Sequence, residues 1–373
     1  MRRIQALVKK EFIHLIKDWW MPAFMLFGGA LELLLVGWAT SRPITNLPLM
    51  VWDQDHSARS RAFVAALLNT NTFQLEGQVQ SMQPMELALE KGEITAGVVI
   101  PPDYSSHIAT VDGQPTLAVF LNGAESYPAQ EALRAIEGVT RDQGRQITLE
   151  RLDIPPETLA DFDFSLRIWF NETLSEAYYT TPAELGLMLE FTVLLFAALT
   201  FSRERELGTL EQLLVMPFSS LELMIGKSIP VILVGMADFS LMLGMVHFAF
   251  GVPVRGSLAL LFLLASGYVI VELSKGMVIS IVARSQHQAF LLVMLVGMVD
   301  FMFTGYAAPV EGMPRVLQWI ANLIPAHHWL SILRGLLLKG AGMRVLWPHI
   351  LALFVLGIII SSFSWRFVRR HLD

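Results

Sequence analysis

Of the 373 residues, 54% are hydrophobic and only 16% charged, with a formal net charge of -6; together with a mean hydropathy of +0.51 this is the composition of an integral membrane protein, not of a string of soluble domains. Basic residues gather near the ends of apolar runs and form no stripe that would track phosphates, so nucleic acid is not an expected partner. No cysteine occurs, which excludes a disulfide framework, a thiolate metal site and a cysteine nucleophile.

The chain opens on MRRIQALVKKEF, basic but without the short apolar core and small-residue cleavage site of a removable signal peptide. Ile4, Leu7, Val8, Phe12, Leu15, Ile16 and Trp19 recur at helical spacing opposite Arg2, Arg3, Lys9, Lys10 and Lys17, so residues 1–20 are expected to form an interfacial helix. Pro22 suits a first helical turn, and Pro22–Thr40 is an apolar run that crosses a bilayer, interrupted by Glu32. Residues 21–40 are therefore the first expected span.

From 41 to 180 the composition becomes that of a soluble domain. Strand patterns at Leu47–Trp52, Phe73–Val79, Ala96–Ile100, Thr116–Leu121 and Phe164–Phe170 alternate with helical ones near His56–Leu68, Pro84–Lys91, Asp103–Thr110 and Ala124–Arg151. That order predicts a small α/β or α+β domain inserted between spans. Asp53 and Asp55 fit Asx capping of a strand-to-helix turn better than a cation site.

Residues 181–373 supply five further spans: Ala183–Phe201, Ile229–Gly251, Ser257–Val282, Ala289–Ala308 and Val345–Val368. Between the first two of these, Ser202–Lys227 is polar and charge-dense. Arg203, Glu204, Arg205 and Glu206 lead into Leu210, Leu213 and Leu214 at helical spacing, which predicts a short amphipathic helix ended by Pro217. Such a helix is either a docking element or a solvated loop. Ser219 and Glu222 offer a capping box for the helix that follows. Pro314–Ile324 and Trp329–Lys339, separated by Pro325, are each too short to cross and read as a re-entrant or surface-lying pair. The fold class is thus membrane all-α: six transmembrane helices, an N-terminal interfacial helix, a re-entrant helical pair before the last span and an inserted extracytoplasmic α/β (α+β) domain. Twelve Lys and Arg flank the spans on the side of the termini against five on the other, which puts both termini in the cytoplasm and 41–180 outside.

Acids inside spans need partners or a wet cavity. Glu272 and Lys275, three apart on one helix, are expected to pair with each other. Glu32, Glu190, Asp238 and Asp300 have no neighbouring cation in the sequence. They either line a translocation path or sit neutral and hydrogen-bonded at helix contacts. His327-His328, after a proline turn and beside Trp329, reads as interfacial anchoring, and no metal site is expected.

Three passages carry a family likeness. One is Ser202–Glu206 running into Gly208-Thr209-Leu210-Glu211-Gln212-Leu213-Leu214 and Pro217. Another is Gly305–Pro314 through Leu317-Gln318-Trp319, Ile324-Pro325 and Leu333-Arg334-Gly335. The third is Trp52-Asp53-Gln54-Asp55, with Gly97–Pro101 and Trp169-Phe170-Asn171. In these the chain resembles the permease subunit of an ABC type-2 exporter, in the drug-resistance-like branch with a large external domain. It departs from the family at Glu172, where Pro is common, and at Ala307-Ala308, where an aromatic-aliphatic pair is usual. The resemblance implies that a cytoplasmic coupling helix, 202–217, docks on a separate ATPase through Arg203, Glu204, Arg205, Glu206, Gly208, Thr209, Leu210, Glu211, Leu214 and Pro217. It implies an external gate in 309–340 and its approach, marked by Gly305, Pro309, Pro314 and Pro325. A second permease, identical or related, is implied as well, in a bacterial inner membrane, and an accompanying membrane-fusion protein is left open. ATP and Mg would belong to the ATPase: the Gly226-Lys227-Ser228 of this chain lacks the glycine at 221 that a phosphate loop needs. No catalytic constellation is recognisable, so the chain is expected to be a transport subunit and not an enzyme. The substrates typical of that branch are amphipathic drugs or lipid-like molecules. The competing readings are a proton-coupled transporter working through the intramembrane acids, and a non-transporting sensor.

Overall fold

The computed structural model describes residues 2–372 apart from 18, 41–43, 111–112, 153–168, 173–174, 217 and 307. Two compact units divide the chain, Pro43–Leu166 and the combination of Met1–Arg42 with Arg167–Asp373. The second begins with α1 (Arg2–Lys17), whose apolar stripe lies opposite its basic one, and α2 (Trp20–Thr40).

The unit Pro43–Leu166 alternates β1 (Leu47–Asp53), α3 (Ala58–Asn69), β2 (Phe73–Gln78), α4 (Met82–Lys91), β3 (Ala96–Ile100), α5 (Tyr104–Ala109), β4 (Ala118–Leu121) and α6 (Ser126–Leu152). The sheet order is β2-β1-β3-β4, with β1 parallel to both neighbours and β4 antiparallel to β3. Alternation on β1 divides two cores. Leu47, Leu49 and Val51 pack with Phe63 and Leu67 of α3 and Ala132 and Ile136 of α6. Met50 and Trp52, pointing the other way, pack with Met85 and Ala88 of α4. At the end of β1, Asp53 Oδ1 accepts from the backbone N–H groups of Asp55 and His56, both at 3.0 Å, and Oδ2 accepts from the Ser60 hydroxyl at 2.6 Å. These bonds are the Asx capping its sequence suggests. The strand expected at Phe164–Phe170 falls mostly outside the described residues. Trp169 and Phe170 are in no strand, and Phe170 takes φ +74°.

The helical unit continues with α7 (Ala177–Glu206), α8 (Leu210–Val215), α9 (Ser220–Phe248), α10 (Leu258–Val282) and α11 (Gln286–Phe303). A single 3-10 turn (Val310–Gly312) precedes α12 (Arg315–Ala321), α13 (Pro325–Leu337) and α14 (Met343–Leu372). Among the described residues, α2, α7, α9, α10, α11 and α14 are long and apolar enough to cross a membrane. The most apolar window of α7 is 83% buried, against 17% for α2 and 11% for α14, which makes α7 the axis of the bundle. Its contact with α10 depends on Gly276, where a Cβ would stand 2.5 Å from Ala197 Cβ and 2.7 Å from the Leu194 carbonyl oxygen. Small residues permit such backbone approach where apolar surface alone gives helices little drive to associate.

Three sequence expectations change. The amphipathic helix expected across 202–217 is divided: α7 runs on through Glu206, the chain turns at Gly208 with φ +71°, and only Leu210–Val215 forms the short α8. Glycine takes that left-handed conformation without the Cβ penalty. The capping box at Ser219 and Glu222 is present and starts α9 well before Ile229. α13 begins at Pro325 instead of Trp329, because proline at a first helical position lacks only an N–H that would be unpaired anyway.

Candidate functional site

Three groups of polar residues meet along α7. At its C-terminal end Glu204 faces inward, 5% exposed. Its Oε1 accepts from Lys10 Nζ of α1 at 2.6 Å and from Lys227 Nζ of α9 at 3.3 Å. Lys227, 1% exposed, also donates to Glu11 Oε1 at 2.9 Å and to the Thr200 carbonyl at 3.3 Å. Gly226 lets α1 approach: a Cβ there would lie 2.8 Å from Leu7 Cβ. The other Glu204 oxygen accepts from the Thr209 hydroxyl, so one carboxylate ties α1, α7 and α9 to the turn that launches α8. Arg205 donates to the carbonyls of Ile281 and Ala283, and Glu206 accepts from the Gln286 N–H at 2.8 Å. The end of α7 is thereby also fixed to the α10–α11 turn. Arg203 lines a cavity of about 80 Å³ beside this hub, too small for a drug-sized ligand, which needs about 300 Å³ or more.

The alternating charges expected to point outward are therefore mostly turned to the protein. What faces outward is mixed: Leu207, Val215 and Met216 are 60%, 87% and 49% exposed, and Glu206, Gly208, Glu211 and Gln212 are exposed with them. Leu210 packs against the bundle core. The Leu214 side chain and Pro217 lie outside the described residues.

Midway along α7, Glu190 meets a second group. Lys275 Nζ of α10 lies 2.6 Å from Asp300 Oδ2 of α11, 2.7 Å from Glu272 Oε2 and 3.5 Å from Glu190 Oε1. Tyr268 donates to Glu190 Oε2 at 3.2 Å and stacks on Trp329 with ring centroids 5.1 Å apart and planes within 14°. The Glu272–Lys275 pair is thus part of a cluster that also takes in Glu190 and Asp300. Three carboxyl groups surround one ammonium at the centre of the bundle, an arrangement that costs several kcal/mol per ion unless every charge is neutralised. The carboxylates converge closely enough to hold a metal ion, but the Lys275 ammonium already occupies the space between them. Asp238 is elsewhere on α9, fully buried and facing Thr192, with no hydrogen bond of good geometry to either oxygen. Glu32 is exposed on α2.

A third group lies near the start of α7. Tyr306 donates to Glu184 Oε2 at 2.6 Å; burial, then this bond, pushes the Tyr306 phenol well above its ordinary range. Gly305, at φ +86°, offers its carbonyl to the Tyr179 hydroxyl at 3.0 Å and to Arg334 at 3.3 Å, and the Arg334 guanidinium lies 3.8 Å over the Tyr179 ring. Pro309 precedes the 3-10 turn, Pro314 precedes α12 and Pro325 opens α13, so each proline sets a helix start. Glu184 escaped sequence reasoning because it stands one residue inside an expected span boundary, and Glu11 because it reads as part of a solvated face.

Six apolar helices around a buried, ion-paired core define a multi-pass membrane protein. A family model described as "ABC-2 family transporter protein" matches residues 19–366, and the chain belongs to that family, as a transmembrane subunit of an ABC exporter. It is 26% identical over 370 residues to a probable multidrug ABC transporter permease, YbhR, of Escherichia coli K12, covering 99% of both chains. To the probable multidrug ABC transporter permease YbhS of the same strain it is 25% identical over 378 residues, covering 100% of this chain and 98% of the relative. ABC transporter G family member 20 of Dictyostelium discoideum is 22% identical over 365 residues, 95% of this chain and 49% of that protein.

Proposed function

We propose that this subunit exports amphipathic drug-like or lipid-like molecules from the cytoplasm or inner leaflet, powered by a separate ATP-binding-cassette ATPase that holds the ATP and Mg. It works in a bacterial cytoplasmic membrane with both termini cytoplasmic and 41–180 extracytoplasmic, an orientation that the excess of Lys and Arg on the terminal side supports. A second permease, identical or related, completes the pathway. A membrane-fusion protein is a compatible outer partner. The observation that carries the coupling role is the Glu204 hub. The exposed face that includes Leu207, Val215 and Met216 is the ATPase contact, and Gly208 and Thr209 join it to Glu204. Displacement of α8 then reaches α1, α7 and α9 together as a rigid-body shift. Arg205 and Glu206 brace the same end of α7 against the α10–α11 turn. Glu190 and Asp300, held by Lys275, and the more isolated Asp238 and Glu32 form the polar lining of the pathway. Gly305, Pro309, Pro314 and Pro325 shape its external gate, with α12 and α13 re-entrant from the outer face.

Gly208→Val tests this. Nothing lies within 4 Å of a Cβ at Gly208, so the substitution strains the turn by about 1–2 kcal/mol without steric conflict. The variant should reach the membrane at normal levels and lose stimulation of ATP hydrolysis by its ATPase subunit. Full stimulation would remove the coupling role. A second reading, proton-driven transport without an ATPase, draws on the three carboxyls that outnumber Lys275. Substrate uptake into vesicles of the permease alone under a pH gradient would establish it instead.

A further inference from the structure

Gly186 leaves a gap on a buried face of α7. A Cβ there would meet the indole edge of Trp329, 3.5 Å from both Cδ1 and Nε1, which is ordinary van der Waals contact. The gap belongs to a cavity of about 10 Å³ whose lining includes Glu190, Tyr268, Thr304 and Trp329. Glu190 stands four residues after Gly186, on the same face of the helix one turn on, and a helical side chain leans back over the turn that precedes it. Its carboxyl group and the Trp329 indole therefore border the same small space.

Trp329 is 1% exposed, and among the described residues its Nε1–H meets no acceptor. A buried indole N–H usually finds a partner, because leaving it unpaired forfeits its hydration with nothing in return. Glu190 is also 1% exposed; its Oε1 makes no hydrogen bond of good geometry, with Lys275 Nζ 3.5 Å away. The Thr304 hydroxyl donates to the Phe301 carbonyl at 3.1 Å and accepts from the Tyr306 N–H at 3.2 Å, which leaves it one lone pair. A buried water needs a site of about 10–15 Å³ and two to four polar partners. This cavity meets the volume and offers one donor and two acceptors. A purely apolar void of the same size would stay dry.

We propose that the cavity beside Gly186 is a binding site for one ordered water, which accepts from Trp329 Nε1–H and donates to the Glu190 carboxyl group and to the Thr304 hydroxyl oxygen. The water ties α13 to the charge cluster by a second link, beside the stack of Trp329 on Tyr268. It also brings solvent to a group of acids that outnumber their cation. Trp329 is thereby a positioning residue for Glu190, acting through the water and through Tyr268, whose hydroxyl donates to Glu190 Oε2. Glycine at 186 keeps the space open, because a methyl group there would take the water's place.

The test is thermal unfolding of the full chain in detergent, where the sign of one substitution decides. In a dry void Gly186→Ala fills space and removes a glycine from a helix interior, and both effects raise Tm. In a hydrated cavity it expels the water and strands the Trp329 N–H, so Tm should fall by a few degrees. Gly186→Ser carries a hydroxyl that can stand in for the water and should recover most of that loss. A higher Tm for Gly186→Ala would overturn the site. Equal losses for alanine and serine would overturn it too, since they would mark crowding and not a lost hydrogen bond. Ultraviolet resonance Raman difference spectra, wild type minus Trp329→Phe, should show a hydrogen-bonded indole N–H, and the signature of a free N–H there would count against the water. If Trp329→Phe fails to fold, the two Gly186 substitutions decide alone.

Discussion

Glu204 and Lys227 lie 3.3 Å apart with 6% and 1% of their side chains exposed, each carrying a further partner from α1. An ion pair this deep is costly to assemble and costlier to break, since removing one member strands the other away from water.

Glu204→Lys sets a third cation beside Lys10 and Lys227 and should destabilise the bundle by about 3–5 kcal/mol. Glu204→Gln keeps the shape and should cost less. Glu206→Lys loses one bond at an exposed position and should cost under about 1 kcal/mol. Thermal unfolding in detergent ranks the three; equal losses for Glu204→Lys and Glu206→Lys would show that the hub is not a buried network.

Lys275→Met should be more damaging than neutralising any single acid around it. It leaves Glu190, Glu272 and Asp300 without the one cation among the described residues that touches all three, a loss of about 3–5 kcal/mol. Adding Glu272→Gln to Lys275→Met should recover part of it, because the two sites are in contact and couple. Chemical unfolding of the single and double variants checks this. Strict additivity would mean that the pair contributes nothing.

The inserted unit carries a pH signature. Burial raises the Asp55 pKa, but hydrogen bonds from Ser57 and Ser105 outweigh it and hold the carboxyl below its ordinary value of 3.8. The Ser105 hydroxyl donates at 2.7 Å. A depressed folded-state pKa stabilises above the unfolded value, and that stability is lost as pH falls through the folded one. Ser105→Ala should therefore cost about 1 kcal/mol at neutral pH, with the difference from wild type shrinking below pH 4. Urea unfolding followed by fluorescence at pH 7 and pH 3 measures both, and an undiminished difference at pH 3 would refute the assignment.

Local signals in the sequence survive folding almost unchanged. The apolar runs, the alternation on β1, the Asx turn at Asp53 and the Ser219–Glu222 capping box all depend on neighbours a few residues apart. What the sequence hides is long-range. Glu204 reads as one of four solvated charges because Lys10 stands 194 residues away, and Glu190 and Asp300 read as lone acids because their cation belongs to a third helix. Gly208 lies in plain view, but whether a glycine bends the chain or continues a helix depends on what its neighbours bind. Here Thr209 is held back by Glu204.

Glu184, Glu190 and Glu204 all belong to α7, and Pro182 precedes the first of them. The twenty residue steps from Glu184 to Glu204 span about 30 Å at 1.5 Å per residue, with no proline or glycine break except Gly186 near the start. The Glu184–Tyr306 contact, the charge cluster and the hub thus share one stiff shaft and cannot be set independently. A turn of the shaft at the Glu204 end changes the angle at which Tyr306 and Lys275 meet their acids, so a substitution at any of the three stations should be felt at the other two.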